Sequence, residues 1–301
     1  MIDLKLTHPE GFLLEEERCG FKVTAEMKKV WAVELDLFNT FKQVCAKYGL
    51  TYYADGGTIL GAIRHKGFVP WDNDIDVAMP RPDYDKLLAL GNDVFEHPYF
   101  LQTPATEEGR YFTTWAKLCN SDTTGRGLDE FSKGINCGIF IDIFPFDKIP
   151  EGTIAKKLYF ARIDNVIKSA RFCFATQAPK GLKKRLSFRI RKAIYTKYLH
   201  SPNAGQLFDL FNKAAASSWD SNSSLFGGVI FGYIPKYCWQ YKDWAECTDM
   251  KFEYIDIQVP NGYDAILSQQ YGNYMSFPTD KSTHEYHTFD AETPYKEYFS
   301  K

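Results

Sequence analysis

The chain lacks a dominant charge: 36 Lys and Arg stand against 38 Asp and Glu, a formal net charge of −2. A phosphate polymer is bound chiefly by surplus positive charge, so this balance argues against a dedicated nucleic-acid binder. Long apolar runs are missing too, and no stretch approaches the roughly 18 uninterrupted apolar residues of a membrane span. The opening MIDLKLTHPEGFLLEEE has no basic-then-apolar leader pattern. Cysteine is sparse and odd in number, seven residues without a C-x-x-C. That excludes a disulfide framework and a zinc ribbon, and it reads as reduced thiols in a cytoplasmic protein. No internal repeat, low-complexity tract or obvious linker is present.

What is there suits a soluble globular protein. Its 301 residues are 45% hydrophobic and 25% charged, enough for one large domain or two modest ones. Helical spacing predicts helices over 24–48, 58–64, 82–95, 153–175, 182–199, 204–217 and 263–271. Short apolar runs predict strands over 50–54, 75–79, 111–118, 138–144 and 252–259. Strands gather in the first half and helices in the second. The expected fold class is therefore α/β in a mixed α+β sense, with a catalytic core over 1–150. Residues 151–301 are expected to form a helical elaboration, closed by a strand and helix that complete the site.

The chemistry concentrates in GGTILGAIRHKGFVPWDNDIDVAMP, Gly56 to Pro80. Asp72, Asp74 and Asp76 alternate there and run into the apolar Val77-Ala78-Met79. Side chains two apart on a strand share a face, so Asp74 and Asp76 are expected to aim together. Like charges at the mouth of a buried strand are costly unless a cation lies between them. Mg²⁺ is the natural partner, held by one or two carboxylates plus substrate phosphates. Gly56 and Gly57, with Thr58, open a helix whose bare N–H groups suit phosphate oxygens. Asp142, alone in the apolar GIFIDIFPF, is costly unless satisfied, and a strand beside 75–79 would bring it to the pair. Arg64, His65, Lys66 and Lys117 are the cationic candidates for the departing phosphate, Arg64 and Lys117 foremost. The pattern is that of a metal-dependent phosphoryl-transfer site.

GGTILGAIRHKGFVPWDNDIDVAMPRPDY, then GIFIDIFPFD and YGNYMSFP, resembles the LicD family of phosphotransferases, related to fukutin and built on the nucleotidyltransferase fold. The resemblance spans roughly residues 27 to 287. It implies transfer of a phosphocholine-like group from a CDP-linked donor to a sugar of a surface glycan or its lipid-linked precursor, with release of CMP. It implies Asp74 and Asp76 as the metal pair, Asp142 as the third carboxylate, and Mg²⁺ or Mn²⁺ as the cofactor. Lys281 and His284, after the Tyr-Gly and Pro motif, are implied nucleotide contacts. Asn73 departs from the pattern where the family often has a further acid. Ribitol-phosphate, glycerol-phosphate and aminoethylphosphonate donors fit the same motifs.

A choline head group needs an aromatic or acidic pocket, for which Trp71, Tyr233, Trp239, Tyr241 and Trp244 are the candidates. Rival readings are a sugar-nucleotide glycosyltransferase or nucleotidyltransferase using the same D-x-D, and a non-enzymatic choline- or glycan-binding module. Between Lys156 and Lys192, twelve of the chain's 36 basic residues face one acid, Asp164. The segment KGLKKRLSFRIRKAIYTKYL reads as a basic amphipathic helix suited to an anionic membrane surface.

Overall fold

The computed structural model describes residues 3–125, 131–174, 186–187, 189–190, 192–193, 203–278 and 289–300. A short hairpin, β1 (Glu16–Arg18) and β2 (Phe21–Val23), precedes α1 (Ala25–Tyr48). Thr24 caps α1, its hydroxyl accepting from the Met27 N–H at 3.2 Å, and a left-handed Gly49 closes it. After β3 (Tyr53–Ala54), Asp55 caps α2 (Gly56–Arg64). Then come β4 (Asp76–Pro80) and α3 (Arg81–Leu90), where Pro82 falls in the first turn, which needs no N–H. The core strands continue as β5 (Tyr99–Gln102), β6 (Ala116–Asn120) and the eleven-residue β7 (Ile139–Ile149). The second half holds α4 (Thr153–Phe174), α5 (Ala204–Ala216), β8 (Leu225–Gly228), β9 (Trp239–Gln240), β10 (Cys247–Phe252) and β11 (Ile255–Pro260). Helix α6 (Tyr263–Tyr271) follows.

Seven strands share one mixed sheet in the order β3-β4-β7-β6-β5, with β8 on the far half of β7 and β9 beside β8. β4 and β7 run parallel and place Asp76 opposite Asp142. On its other side β7 pairs antiparallel with β6, which sets Lys117 opposite the same aspartate. Helix α1 packs across β6 and β7 and buries Trp31, Leu35, Phe38 and Phe41. A second apolar cluster, including Ile149, Ile163, Ile167 and Phe211, lies under α4 and α5.

The mixed α/β class stands, with several differences in detail. The strand expected from Tyr111 begins only at Ala116, because Tyr111–Trp115 make no ladder bonds. β5, β8 and β9 were unread, being two to four residues long and stabilised by neighbours distant in sequence. The strand expected over 252–259 is one arm of a hairpin that turns at Glu253–Tyr254. Helix α4 buries Tyr159, Phe160, Ile163, Ile167 and Ala170, whereas Leu158 on the same helix is 58% exposed. Most of the predicted basic helix over 182–199 lies outside the described residues, as do Lys281 and His284. All seven cysteines are free thiols, and no described helix is long and apolar enough to cross a membrane.

Candidate active site

The parallel pairing of β4 and β7 brings two acids together by register alone. Asp76 is the first residue of β4, and its backbone N–H donates to the Thr58 hydroxyl at 2.9 Å. Thr58 therefore serves as an anchor for the strand mouth and is itself buried. Asp74 is not on the strand as expected; it lies in the preceding segment. A turn there, Asp72 N–H to Val69 O at 2.8 Å, directs the chain back toward the sheet. The Trp31 indole fixes the turn by donating to the Asp72 carbonyl at 3.0 Å. Asp142 accepts from the Trp115 indole at 2.6 Å and from the Lys117 ammonium. Lys117 thus reaches the site as a partner of a carboxylate.

The two glycines are there for different reasons. Gly56 has φ +49°, a conformation that penalises any Cβ. A Cβ on Gly57 would lie 2.8 Å from the Asp72 carboxylate. Bare backbone at the start of α2 is what lets the acids approach it.

Electrostatics make the cluster cation-seeking. Burial first, then repulsion from Asp74, Asp142, Asp55 and Asp72, raises the Asp76 carboxyl well above the usual range. Burial pushes Asp55 up to about 7, against the pull of the Gly56 N–H. Glu34, buried on α1, is raised by burial and then by Asp74, Asp72, Asp76 and Asp142, and its Oε2 has no hydrogen-bond partner. The Asp55, Asp72 and Glu34 contributions were missed as site features. An acid before Gly-Gly, the first of three alternating aspartates, and an acid inside the apolar WAVEL were the available signals.

These residues fit a hard divalent ion. Among the described residues no three His, Cys, Asp or Glu side chains form a metal cage by themselves. Mg²⁺ does not require one, since it takes one or two carboxylates and completes its shell with phosphate and water oxygens. An all-carboxylate donor set with buried, mutually repelling charge is suited to that ion or to Mn²⁺. Asp74 and Asp76 would hold it, with Asp142 held in place beside them by Trp115 and Lys117.

Above the acids opens a cavity of about 310 Å³. Its lining combines the carboxylates Asp55, Asp74, Asp76 and Asp142 with the aromatic rings of Trp115, Phe231, Tyr237 and Trp239, and Trp115 touches Asp142 directly. Among the described residues no Lys, Arg or His lines it. Of the five aromatic candidates, only Trp239 faces this space. Trp244 is fully buried behind it, packed on Phe146 and Trp239 at ring separations of 4.9 and 5.2 Å. Tyr233 leans on Phe160 and Tyr241 on Phe226, both away from the cavity. Trp71 lines a second compartment of about 380 Å³ together with Arg64. The compartments meet at Gly57 and Tyr271, the latter from the YGNYMSFP motif. His65 accepts from Arg64 at 2.9 Å, and burial, Arg64 and Arg18 lower it to about 4. It is neutral at pH 7, so it supplies no charge for a phosphate.

Residues 49–185 match the family model described as LicD/FKTN/FKRP, nucleotidyltransferase domain. The chain is also 29% identical over 265 residues to the lipopolysaccharide cholinephosphotransferase LicD of Haemophilus influenzae, covering 85% of this chain and 94% of that protein. The chain carries a LicD-family domain over residues 49–185. It is an enzyme of the transferase class. Shorter similarities reach mannosyltransferase regulator 4 of Saccharomyces cerevisiae, 28% over 110 residues, covering 36% of this chain and 9% of that protein. An uncharacterized Rickettsia prowazekii protein is 35% identical over 80 residues, covering 24% and 30% of the two chains. In this chain the matched segment holds Asp55 to Thr58, Arg64, Asp72 to Asp76, Trp115, Lys117 and Asp142. Phe231, Tyr237, Trp239 and Tyr271 lie beyond it.

Proposed function

We propose that the chain transfers a substituted phosphate, phosphocholine, from a CDP-linked donor to a sugar hydroxyl of a cell-surface glycan or its lipid-linked precursor, releasing CMP. The observation that carries this reading is a cavity lined jointly by carboxylates and aromatic rings, with no cationic side chain among its described lining residues. Such a space suits a quaternary ammonium, attracted by ring faces and by nearby negative charge. The relative named as a lipopolysaccharide cholinephosphotransferase supports the same substrate class. In the reaction the acceptor oxygen bonds to the transferred phosphorus as the bond from that phosphorus to the bridging oxygen of the diphosphate breaks. That electron pair leaves with CMP, and the hydroxyl proton passes to a carboxylate of the cluster. A bound divalent ion would neutralise diphosphate charge. The chain's own residues orient the reactants: Thr58 fixes the Asp76 backbone, Lys117 and Trp115 fix Asp142, and the aromatic wall holds the head group.

The test incubates the protein and Mg²⁺ or Mn²⁺ with CDP-choline, CDP-ethanolamine, CDP-glycerol and CDP-ribitol, following CMP release. CDP-choline is expected to lead. Phe231→Ala and Tyr237→Ala should each raise its KM about 2- to 30-fold, the range of one lost cation–π contact. Equal turnover of all donors, unchanged by either substitution, would remove the head-group assignment. Faster turnover of the ribitol or glycerol form would favour a polyol-phosphate transferase on the same carboxylates.

A lipid-linked acceptor calls for a membrane surface. Helix α4 leaves Ile154 77% exposed, one turn from the exposed Leu158, among Lys156, Lys157 and Arg162. Leu186 and Ile190, from the basic segment, are exposed as well. Apolar side chains among lysines and arginines suit an anionic bilayer, with about 1 kcal/mol for each basic residue near it. The protein is expected to co-sediment with phosphatidylglycerol vesicles and not with phosphatidylcholine vesicles. Salt and the pair Ile154→Glu with Leu158→Glu should release it. Indifference to lipid charge would leave a soluble acceptor.

A further inference from the structure

The second compartment has a chemistry opposite to the first. One face of α2 supplies Gly57, Leu60 and Arg64, and the segment after α6 supplies Asn273, Ser276 and Phe277. Trp71 and Phe277 meet edge to face at 6.3 Å and make an aromatic corner. Arg64 stands over both rings, 5.8 and 5.2 Å from their centroids. Its Nη1 donates to the carbonyls of Tyr274 at 2.7 Å and Ser276 at 3.1 Å, which ties that segment to α2. Among the described residues its Nη2 has no hydrogen bond, and no carboxylate pairs with the guanidinium. Asp72 also lines the compartment, on the side toward the acids.

A half-buried guanidinium without an acid is set for an anion, and a planar aromatic corner is set for a base. From these features we infer that this compartment binds the pyrimidine nucleoside monophosphate half of the donor, and retains it as the leaving group. The base lies on the Phe277–Trp71 corner and the phosphate reaches the guanidinium near Gly57 and Tyr271. This rests on the proposed transfer from a CDP-linked donor and assigns its two ends: nucleotide beside Arg64, head group beside Tyr237. Gly57 and Tyr271, shared by both linings, mark where the diphosphate crosses.

Calorimetry with CMP, cytidine and phosphocholine, each in Mg²⁺, tests the assignment on the full chain. Phe277 is half exposed, so Phe277→Ala leaves the core intact. That variant should weaken CMP and cytidine alike by about tenfold, the scale of one lost base–aromatic stack, and leave phosphocholine binding unchanged. Phe277→Trp should restore both. Arg64→Gln should weaken CMP more than cytidine. Unchanged CMP binding in Phe277→Ala, or an equal loss of phosphocholine, overturns the inference; absence of CMP binding to the wild type does so too. The proposed transfer is judged separately by CMP release in the donor panel. If turnover persists while Phe277→Ala binds CMP normally, only the compartment assignment fails.

Discussion

Asn in place of Asp76, or Ala in place of Asp74, is expected to lower kcat by at least about 10³, the scale of losing a principal charge-stabilising group. Asp76 sits at the mouth of β4, in register with Asp142 and opposed by four other acids. Among the described residues no cationic side chain lines the space above them. A substrate bearing two phosphates adds more negative charge to this corner, and Lys117, already paired with Asp142, offsets only part of it. Divalent ions and these carboxylates therefore stand or fall together. Calorimetry should find Mg²⁺ or Mn²⁺ binding to the wild type and not to Asp76→Asn, and excess EDTA should abolish transfer. Full activity in EDTA would sink the metal assignment. Folding is expected to survive, because Asn keeps the volume and the backbone bond to Thr58 and removes one of several repelling charges. A melting temperature for Asp76→Asn equal to or above that of the metal-free wild type checks that point.

Much of this site was legible before any coordinates, and for identifiable reasons. Thr24 and Gly49 bound α1 where capping chemistry placed them, and Asp142 met Asp76 because a lone acid in an apolar strand needs a polar neighbour. The caps are local rules acting within a few residues, whereas the Asp142–Asp76 pairing joins strands distant in sequence. The aromatic wall was not legible, because it depends on which strand joins which edge. Trp239 and Trp244 look alike in the sequence, five residues apart. Only the pairing of β9 with β8 turns Trp239 to the cavity, while Trp244 fills the core behind it. Trp115 lies in no strand, yet β6 begins one residue later and brings its indole to Asp142. Arg64 was read as a cation near the phosphates. Its actual use of carbonyls more than two hundred residues away follows from the packing of α6 on α2, which no local pattern encodes.

Asp147→Ala is expected to cost about 3–5 kcal/mol of stability, the usual result of leaving a buried charge without its partner. Asp142 and Asp147 lie five residues apart on β7, and an odd spacing sends their side chains to opposite faces of the strand. The even positions Asp142, Phe144 and Phe146 line the cavity. Asp147 faces the other way, fully buried, and accepts two 2.7 Å bonds from the equally buried Arg81 guanidinium. Arg81 also donates to Asn212 on α5 at 2.9 Å, so one side chain ties α3, β7 and α5 together. Against a typical total of about 5–15 kcal/mol, the predicted loss is a large fraction. Urea denaturation should register it, and the double substitution Arg81→Met with Asp147→Leu should recover most of it, since no buried charge then remains. A cost under about 1 kcal/mol for Asp147→Ala alone would mean the pair is hydrated or dispensable. The contrast with Asp142 makes the test specific to each face. Asp142→Asn should suppress turnover with little effect on the urea midpoint, whereas Asp147→Ala, assayed at a temperature where it stays folded, should keep kcat close to wild type.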